Sequence, residues 1–420
     1  MINLELFRKN PQIFKSEIEK RGLKIDITIG LELDKKRRDL IFKIEQLRYE
    51  KNLASKVIPE LKGEEKNKKI DQMKKVNEDL QEMETELADI EKEFFNHFSM
   101  YPNLSHESTP VGKDESGNVA QSYYGSKPVF DFEPKGHINL GVSLDILDEK
   151  RATKISGSRF VFLKNEAVLM EFALVQYVLG ILVRKGFVPL IPPVLVKEMA
   201  MYGTGFFPVE KTQYYKTDLD DLFLIGTSEV PLCAYHGNEL LDVGLLPLKY
   251  TAFSTCFRRE AGSYGKDLGG LFRVHQFDKI EMFIFAHPEH SWEEYEKLRE
   301  TLEEIMQGLG FHYRIVNMCT GDIGTPNAKK YDLEAWLPGQ KKYRELASCS
   351  HDTDFQARRL NIKYKGGKKK GLIHTMNSTA CAIGRTLMAI WENYQDSEGN
   401  IRVPEVLIPY MGGIKKISKK

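Results

Sequence analysis

The sequence predicts an α+β protein: an N-terminal antiparallel α-helical coiled-coil hairpin, then a domain whose mainly antiparallel sheet is flanked by helices. Three observations carry that expectation. Between residues 31 and 98 stand one proline and one glycine, Pro59 and Gly63, while apolar residues recur at steps of three, four and seven. Further on, the elements run strand, loop, strand, helix, without steady βαβ alternation. No repeat at a solenoid period crosses either part.

The hairpin comes first. Leu33, Leu40, Leu47 and Ala54 recur every seven residues, and Ile70, Met73, Val76, Leu80, Met83, Leu87, Ile90 and Phe94 step by threes and fours. Both are apolar stripes at coiled-coil spacing, and a short turn at Pro59–Gly63 makes them antiparallel. At the helical rise, residues 31–58 span about 40 Å. The helices differ in charge: residues 31–58 hold eight Lys/Arg against five Asp/Glu, residues 66–98 six against nine. Two accounts fit. The charges pair between the helices of a solvated coiled coil, or Lys35, Lys36, Arg37, Arg38, Lys43, Arg48 and Lys51 face a phosphate backbone.

Residues 99–127, around "NLSHESTPVGKDESGN", read as a connector. Then Asn165–Lys185 is helical and apolar, "GFVPLIPPVLV" is a strand cut by prolines, and "LKYTAFSTCFRRE" and "GLFRVHQFDKIEMFIFA" are two strands flanking a loop. Ser291–Leu309 is an amphipathic helix, and "IHTMNSTACAIGR" is a strand turning into a helix. The domains expected are 1–105, a connector 106–130, and 131–420.

Composition limits what such a chain does. With 41% hydrophobic and 29% charged residues and a net charge of +1, it is an ordinary globular composition, so any polyanion is bound by local patches. Five cysteines without a C-x-x-C pair read as buried thiols of a reducing compartment. The N-terminus lacks the apolar run of a secretory signal and no eighteen apolar residues run uninterrupted, so the expectation is a cytoplasmic protein with no membrane span.

The chemistry concentrates in "FRREAGSYGKDLGGLFRVHQFDKIE", residues 257–281. Arg258 would be a fixed planar cation suited to phosphate or carboxylate. Glu260, two residues on along a strand, would share its face and accept from an exocyclic amine such as that of adenine. The glycine-rich loop 261–270 could fold over a ligand, Phe277 could stack on a base, and Glu281 could hold an amine or hydroxyl. The set reads as a nucleotide with a small zwitterion, against the alternative of a surface cluster with no ligand. No Walker or G-x-G-x-x-G loop is present, so arginines and a metal would have to hold the phosphates. In "YRELASCS", Glu345 and Ser348 offer oxygens for Mg²⁺, unless Glu345 is a surface charge. In "NSTACAIGR", Arg385 could reach a γ-phosphate or merely serve the helix start, while Asn377 and Thr379 could contact a small polar ligand.

"GFVPLIPPVLV", "FRRE" and the "GR" at a helix start together resemble the three signature motifs of class II aminoacyl-tRNA synthetases. Within that class "SGSRFVFL", "GTSEVPL", "FRREAGSYGKD", "HQFDKIEMF", "DFQARRL", "GRTLMAIWENYQ" and "VPEVLIPYMGG" resemble the seryl-tRNA synthetase family, along essentially the whole chain. The resemblance implies ATP-dependent activation of L-serine and its transfer to tRNA(Ser), with tRNA(Sec) as a further acceptor, in a homodimer using ATP and Mg²⁺. It implies Arg258, Glu345 and Arg385 as the catalytic set. ATP would be met by Arg258, Arg259, Glu260, Val274, Phe277, Glu345, Leu346, Ala347, Ser348 and Arg385. Serine would be met by Thr227, Ser228, Glu229, Arg258, Glu281, Asn377 and Thr379. Glu345 and Ser348 would hold the metal, Pro193 would lie in the dimer motif, and the hairpin would be the tRNA arm. Two departures stand out: Asn377-Ser378-Thr379 where many relatives read N-G-S, and "CSHDTDFQARR". Zinc is not expected. The rivals are an enzyme of the same plan with a carrier-protein acceptor, and a non-catalytic tRNA-binding homologue.

Overall fold

The computed structural model describes residues 2–261, 269–367 and 369–419. The chain divides into two compact units, one formed by residues up to Glu19 with Leu23–Tyr101, the other by Lys20–Gly22 with Pro102–Lys420.

In the first unit the long helices are α1 (Ile27–Val57) and α2 (Gly63–Ser99). Asp26 caps α1 by accepting from the Thr28 N–H, and Glu64 and Glu65 lie at the positive start of α2. The periodic residues do what their spacing requires: Leu33, Leu40, Ile44 and Ala54 of α1 and Met73, Val76 and Leu80 of α2 are buried. Gly30, at the base of the hairpin, admits a close neighbour, since a Cβ there would lie 2.6 Å from Tyr101 Oη. Cross-helix ion pairs join Arg37 to Glu91 at 2.9 Å and Arg48 to Glu84 at 2.7 Å.

The second unit is built on an eight-stranded sheet. In chain order its main elements are β1 (Val119–Tyr124), α3 (Glu166–Arg184), β2 (Val188–Leu190), β3 (Leu248–Phe257), β4 (Gln276–Ala286) and α4 (Ser291–Gly308). There follow β5 (Tyr313–Asn317), β6 (Lys329–Leu337), β7 (Lys342–Thr353), α5 (Phe355–Leu360), β8 (Lys363–Gly366), β9 (Lys369–Leu372), β10 (His374–Ala382) and α6 (Ile383–Asn393). The sheet order is β1-β5-β6-β7-β10-β4-β3-β2, antiparallel throughout except where β2 runs parallel to β3.

Alternation along β4 sorts the two faces. Ile280, Met282 and Ile284 pack into the main core with α3, α4 and α6. Phe277, Lys279 and Glu281 point the other way, and Phe283 and Phe285 then join a second cluster with Ala252 and Leu360.

Two expectations need correction. Within the stretch read as a connector, Val119–Tyr124 is an edge strand paired with β5. All six of its residues are exposed, so no apolar alternation marked it. "GFVPLIPPVLV" is not one interrupted strand: β2 joins the main sheet, while Leu195–Lys197 pairs with Leu222–Leu224 in a separate ribbon. Helix α3, with a mean hydropathy of 1.8, is long and apolar enough to cross a membrane, yet Met170, Leu174 and Val178 lie wholly within the core.

Candidate active site

One cavity of about 520 Å³ opens on the sheet face away from the helices. β4 supplies its floor, β7 and β10 its far wall, Arg258 enters just past the end of β3, and α6 delivers Arg385 from its first turn. Two ends differ in charge.

At the cationic end, the Arg258 Nε donates to Gly226 O at 3.1 Å and its guanidinium lies 5.3 Å from the Phe277 ring. Arg258 and Glu260 do share the cavity, but not through strand parity. β3 stops at Phe257, and Glu260 sits at φ +51°, in a turn that brings its carboxylate onto Arg273. Arg385 donates from Nη1 to Glu345 Oε2 at 3.0 Å, and its guanidinium stacks 4.4 Å from the Phe272 ring.

Glu345 and Ser348 both face this end, which their odd spacing would forbid in a regular strand. The reason is a bulge. Leu333 pairs with Ala347 while Glu334 pairs with Glu345, so Leu346 is the extra residue. Burial would push the Glu345 carboxyl up, but Arg385, Lys330 and Arg258 outweigh it and hold it at about 2. An ionised carboxylate beside a hydroxyl is an oxygen-donor set of the kind a hard divalent cation takes.

The other end is a carboxylate nest. Glu229, first residue of the short helix Glu229–Ala234, accepts from Gln356 Nε2 at 2.9 Å and Asn377 Nδ2 at 3.0 Å. Asn377 Nδ2 also reaches Glu281 Oε1 at 3.2 Å, and its own Oδ1 is buried with no partner among the described residues. Burial first, then the nearby Asp352 and Glu281, pushes the Glu229 carboxyl well above the usual range. The Lys279 ammonium pairs with Glu281 and donates to Thr227 Oγ1 at 2.8 Å and Thr379 Oγ1 at 3.4 Å. Thr379 is directly opposite Glu281 in the β10–β4 register.

The cavity gathers nearly all the residues singled out from sequence: Arg258, Glu260, Val274, Phe277 and Glu281 from the strand-loop-strand segment, Glu345 to Ser348 from β7, and Thr227, Glu229, Asn377, Thr379 and Arg385. Two are not brought in. Arg259 does not line the cavity and instead donates its backbone N–H to Gln213 O at 2.8 Å. Ser228 is fully buried behind Thr227, its hydroxyl 3.4 Å from Ala252 O. Ser228 takes helical dihedrals at the start of the helix Glu229–Ala234, which turns its side chain into the core between two residues that face the cavity. Residues 262–268 of the glycine-rich loop lie outside the described residues. Ser378 needs no glycine: it lies within β10, pairs with Met282 and has no positive φ.

Sequence reasoning missed Lys279, Lys330 and Gln356. Lys279 was legible, since it shares strand parity with Phe277 and Glu281. Lys330 comes from a segment with no motif of its own, and Gln356, although inside "DFQARRL", had no role assigned there; only the tertiary fold brings them here.

Similarity to known proteins agrees with this geometry. A family model described as the seryl-tRNA synthetase N-terminal domain matches residues 1–105, and one for the class II tRNA synthetase core domain (G, H, P, S and T) matches residues 209–394. The serine--tRNA ligase of Thermodesulfovibrio yellowstonii is 44% identical over 419 residues, covering 98% of this chain and 99% of that one. The chain belongs to the seryl-tRNA synthetase family. The Fervidobacterium nodosum serine--tRNA ligase is likewise 44% identical, over 98% of each chain. Among solved structures, the seryl-tRNA synthetase from Pyrococcus horikoshii complexed with ATP superposes with a TM-score of 0.92 at 40% identity, covering both chains completely. The cytoplasmic serine-tRNA ligase from Naegleria fowleri in complex with AMP gives 0.87 at 36%, covering 100% of this chain and 99% of that one. A Giardia lamblia prolyl-tRNA synthetase, 14% identical with a TM-score of 0.58 over 67% of this chain and 58% of its own, shares the fold.

Proposed function

We propose that the chain activates L-serine with ATP and passes the seryl group to tRNA(Ser), with tRNA(Sec) as a second acceptor. The observation that carries this reading is the convergence of Arg258, Glu345 and Arg385 with Thr227, Glu229, Glu281 and Thr379 in one cavity.

In the first step a serine carboxylate oxygen attacks the α-phosphorus of ATP. The bond to the bridging oxygen breaks, and pyrophosphate leaves. In the second, the terminal ribose hydroxyl of tRNA attacks the seryl carbonyl and AMP leaves. Both nucleophiles belong to substrates, so the protein's part is alignment and charge neutralisation. Arg258 meets the α-phosphate and serine carboxylate, Arg385 the γ-phosphate, Phe277 the base, and Glu260 the adenine amine. Glu345 and Ser348 would hold Mg²⁺, which neutralises phosphate charge when bound.

The nest selects serine. Thr227 and Glu229 meet the α-ammonium, while Glu281 and Thr379 meet the hydroxyl. Alanine would leave Glu281 buried without that bond, which is a strong basis for rejection.

The hairpin is the tRNA arm in this reading. Arg37, Arg38 and Arg48 are paired to Glu91, Asp34 and Glu84, so they stiffen the arm. Lys35, Lys36, Lys43 and Lys51 are exposed, with no ion pair among the described residues, and Phe42 and Tyr49 are 60% and 67% exposed on the same helix. Lysines interleaved with open rings suit an RNA backbone and its bases. Dimerisation is supported by the outer stripe of α3, where Leu169, Phe172 and Val183 are exposed, together with Val188 and Ile191 ahead of Pro193. Five free, buried cysteines suit the cytoplasm.

ATP–pyrophosphate exchange with each of the twenty amino acids tests the proposal. Serine should support exchange far above the rest, and seryl transfer should require tRNA(Ser). A different preferred amino acid would overturn it.

A further inference from the structure

From residue 355 to residue 391 the chain has no aspartate or glutamate, while Arg358, Arg359, Lys363, Lys365, Lys368, Lys369, Lys370 and Arg385 all fall within it. In a chain of net charge +1, that is a local excess of one sign. The fold turns part of it into a surface. β8 and β9 form a hairpin in which Lys365 is directly opposite Lys370 and Lys363 opposite Leu372. Strand alternation puts Lys363, Lys365 and Lys370 on one face.

Like charges directly opposite across a strand pair destabilise the pair. None of Lys363, Lys365, Lys369 and Lys370 makes an ion pair among the described residues, and Lys365, Lys369 and Lys370 are exposed. On the other side, β8 runs parallel to the short strand Leu240–Asp242, with Asp242 in register with Lys365. That carboxylate is engaged elsewhere, accepting from Gly244 N at 2.8 Å. The neighbouring Glu239 carboxylate lies 2.7 Å from His236 Nδ1. Neither of these two acids answers the lysine face.

We infer that this hairpin face is a second nucleic-acid contact, on the catalytic unit, which takes backbone phosphates of the tRNA. The inference rests on the proposed function, which supplies the polyanion. An RNA strand offers phosphates at intervals that a lysine cluster can follow without reading bases, so the contact adds affinity and orientation but no sequence choice. It is separate from the arm, whose cations lie on α1.

The test replaces three lysines together, Lys363→Gln, Lys365→Gln and Lys370→Gln, in the full chain. Serine-dependent ATP–pyrophosphate exchange should stay within about twofold of the parent. The KM for tRNA(Ser) at about 0.1 M KCl should rise about tenfold. The slope of log kcat/KM against log salt should become shallower by about 2, since each phosphate left without its lysine removes about 0.7–0.9 from it. An unchanged tRNA KM and an unchanged slope would overturn the inference. So would binding to vesicles of phosphatidylglycerol and phosphatidylcholine that the parent shows and the variant loses while its tRNA kinetics stay the same. If the triple variant does not fold, Lys370→Glu, which creates a cross-strand pair with Lys365, carries the same salt-slope test. A parent chain that charges no tRNA at all refutes the proposed function instead, and the two failures are thereby told apart.

Discussion

Lys279→Met is the substitution whose consequences the structure defines best. The Lys279 side chain is 8% exposed and that of Glu281 1%, so the change strips a buried carboxylate of its cation without altering the volume much. Removing one partner of a buried pair costs about 3–5 kcal/mol. The loss has a kinetic consequence. Glu281, without its cation and no longer tied through Lys279 to Thr227 and Thr379, loses ordered charge-assisted bonds to serine worth about 1.5–3 kcal/mol. Serine kcat/KM should therefore fall about 10- to 150-fold. Arg258, Glu345 and Arg385 make no bond to Lys279, so the KM for ATP should move less than about twofold. Pyrophosphate exchange at varied serine and varied ATP measures both, and urea unfolding measures the stability. In a Lys279→Ala variant, added ethylammonium should restore part of the serine kcat/KM. Equal loss for the two substrates, or no change for serine, would refute the assignment of Lys279 to the amino-acid end.

Other expectations follow from the same geometry. Glu281→Ala should raise the KM for serine at least about a hundredfold and that for ATP only a few-fold; an unchanged serine requirement in pyrophosphate exchange would contradict the pocket. Replacing residues 31–98 by a short linker should spare seryl-adenylate formation and abolish tRNA charging, whereas equal loss of both would make the hairpin a folding element. The Glu345 carboxyl is held down at about 2 against an ordinary 4.5, so the stability it contributes is present above about pH 4.5 and is lost as pH falls toward 2. The difference in unfolding free energy between the parent and Glu345→Gln should accordingly shrink between about pH 5 and about pH 2.5; a constant difference would rule out that ionisation.

Much of the candidate site was legible because its residues sit on strands, where parity is a strict geometric rule. Phe277 and Glu281 face one cavity for that reason, and Lys279 follows from it. The rule failed where the chain left regular strand. Glu260 reaches the cavity through a left-handed turn, and Glu345 and Ser348 share it only because Leu346 bulges. Arg259 and Ser228 stand next to cavity residues in their motifs, yet neither lines the cavity, because both lie outside regular strand, where parity gives no guide.

The amino-acid order alone determined the two-part organisation, since helical periodicity over sixty residues and strand alternation over ten are local properties that need no knowledge of the partner surface. It also determined that arginines and carboxylates, not a side-chain nucleophile, would make up the site. The tertiary structure decided what local patterns cannot contain. An edge strand with both faces wet has no apolar signature, so Val119–Tyr124 became visible only beside β5. Contacts between residues far apart in sequence, such as Gln356 on Glu229 or Thr379 opposite Glu281, exist only once the whole unit has folded, because helix packing and sheet register are set across all its elements.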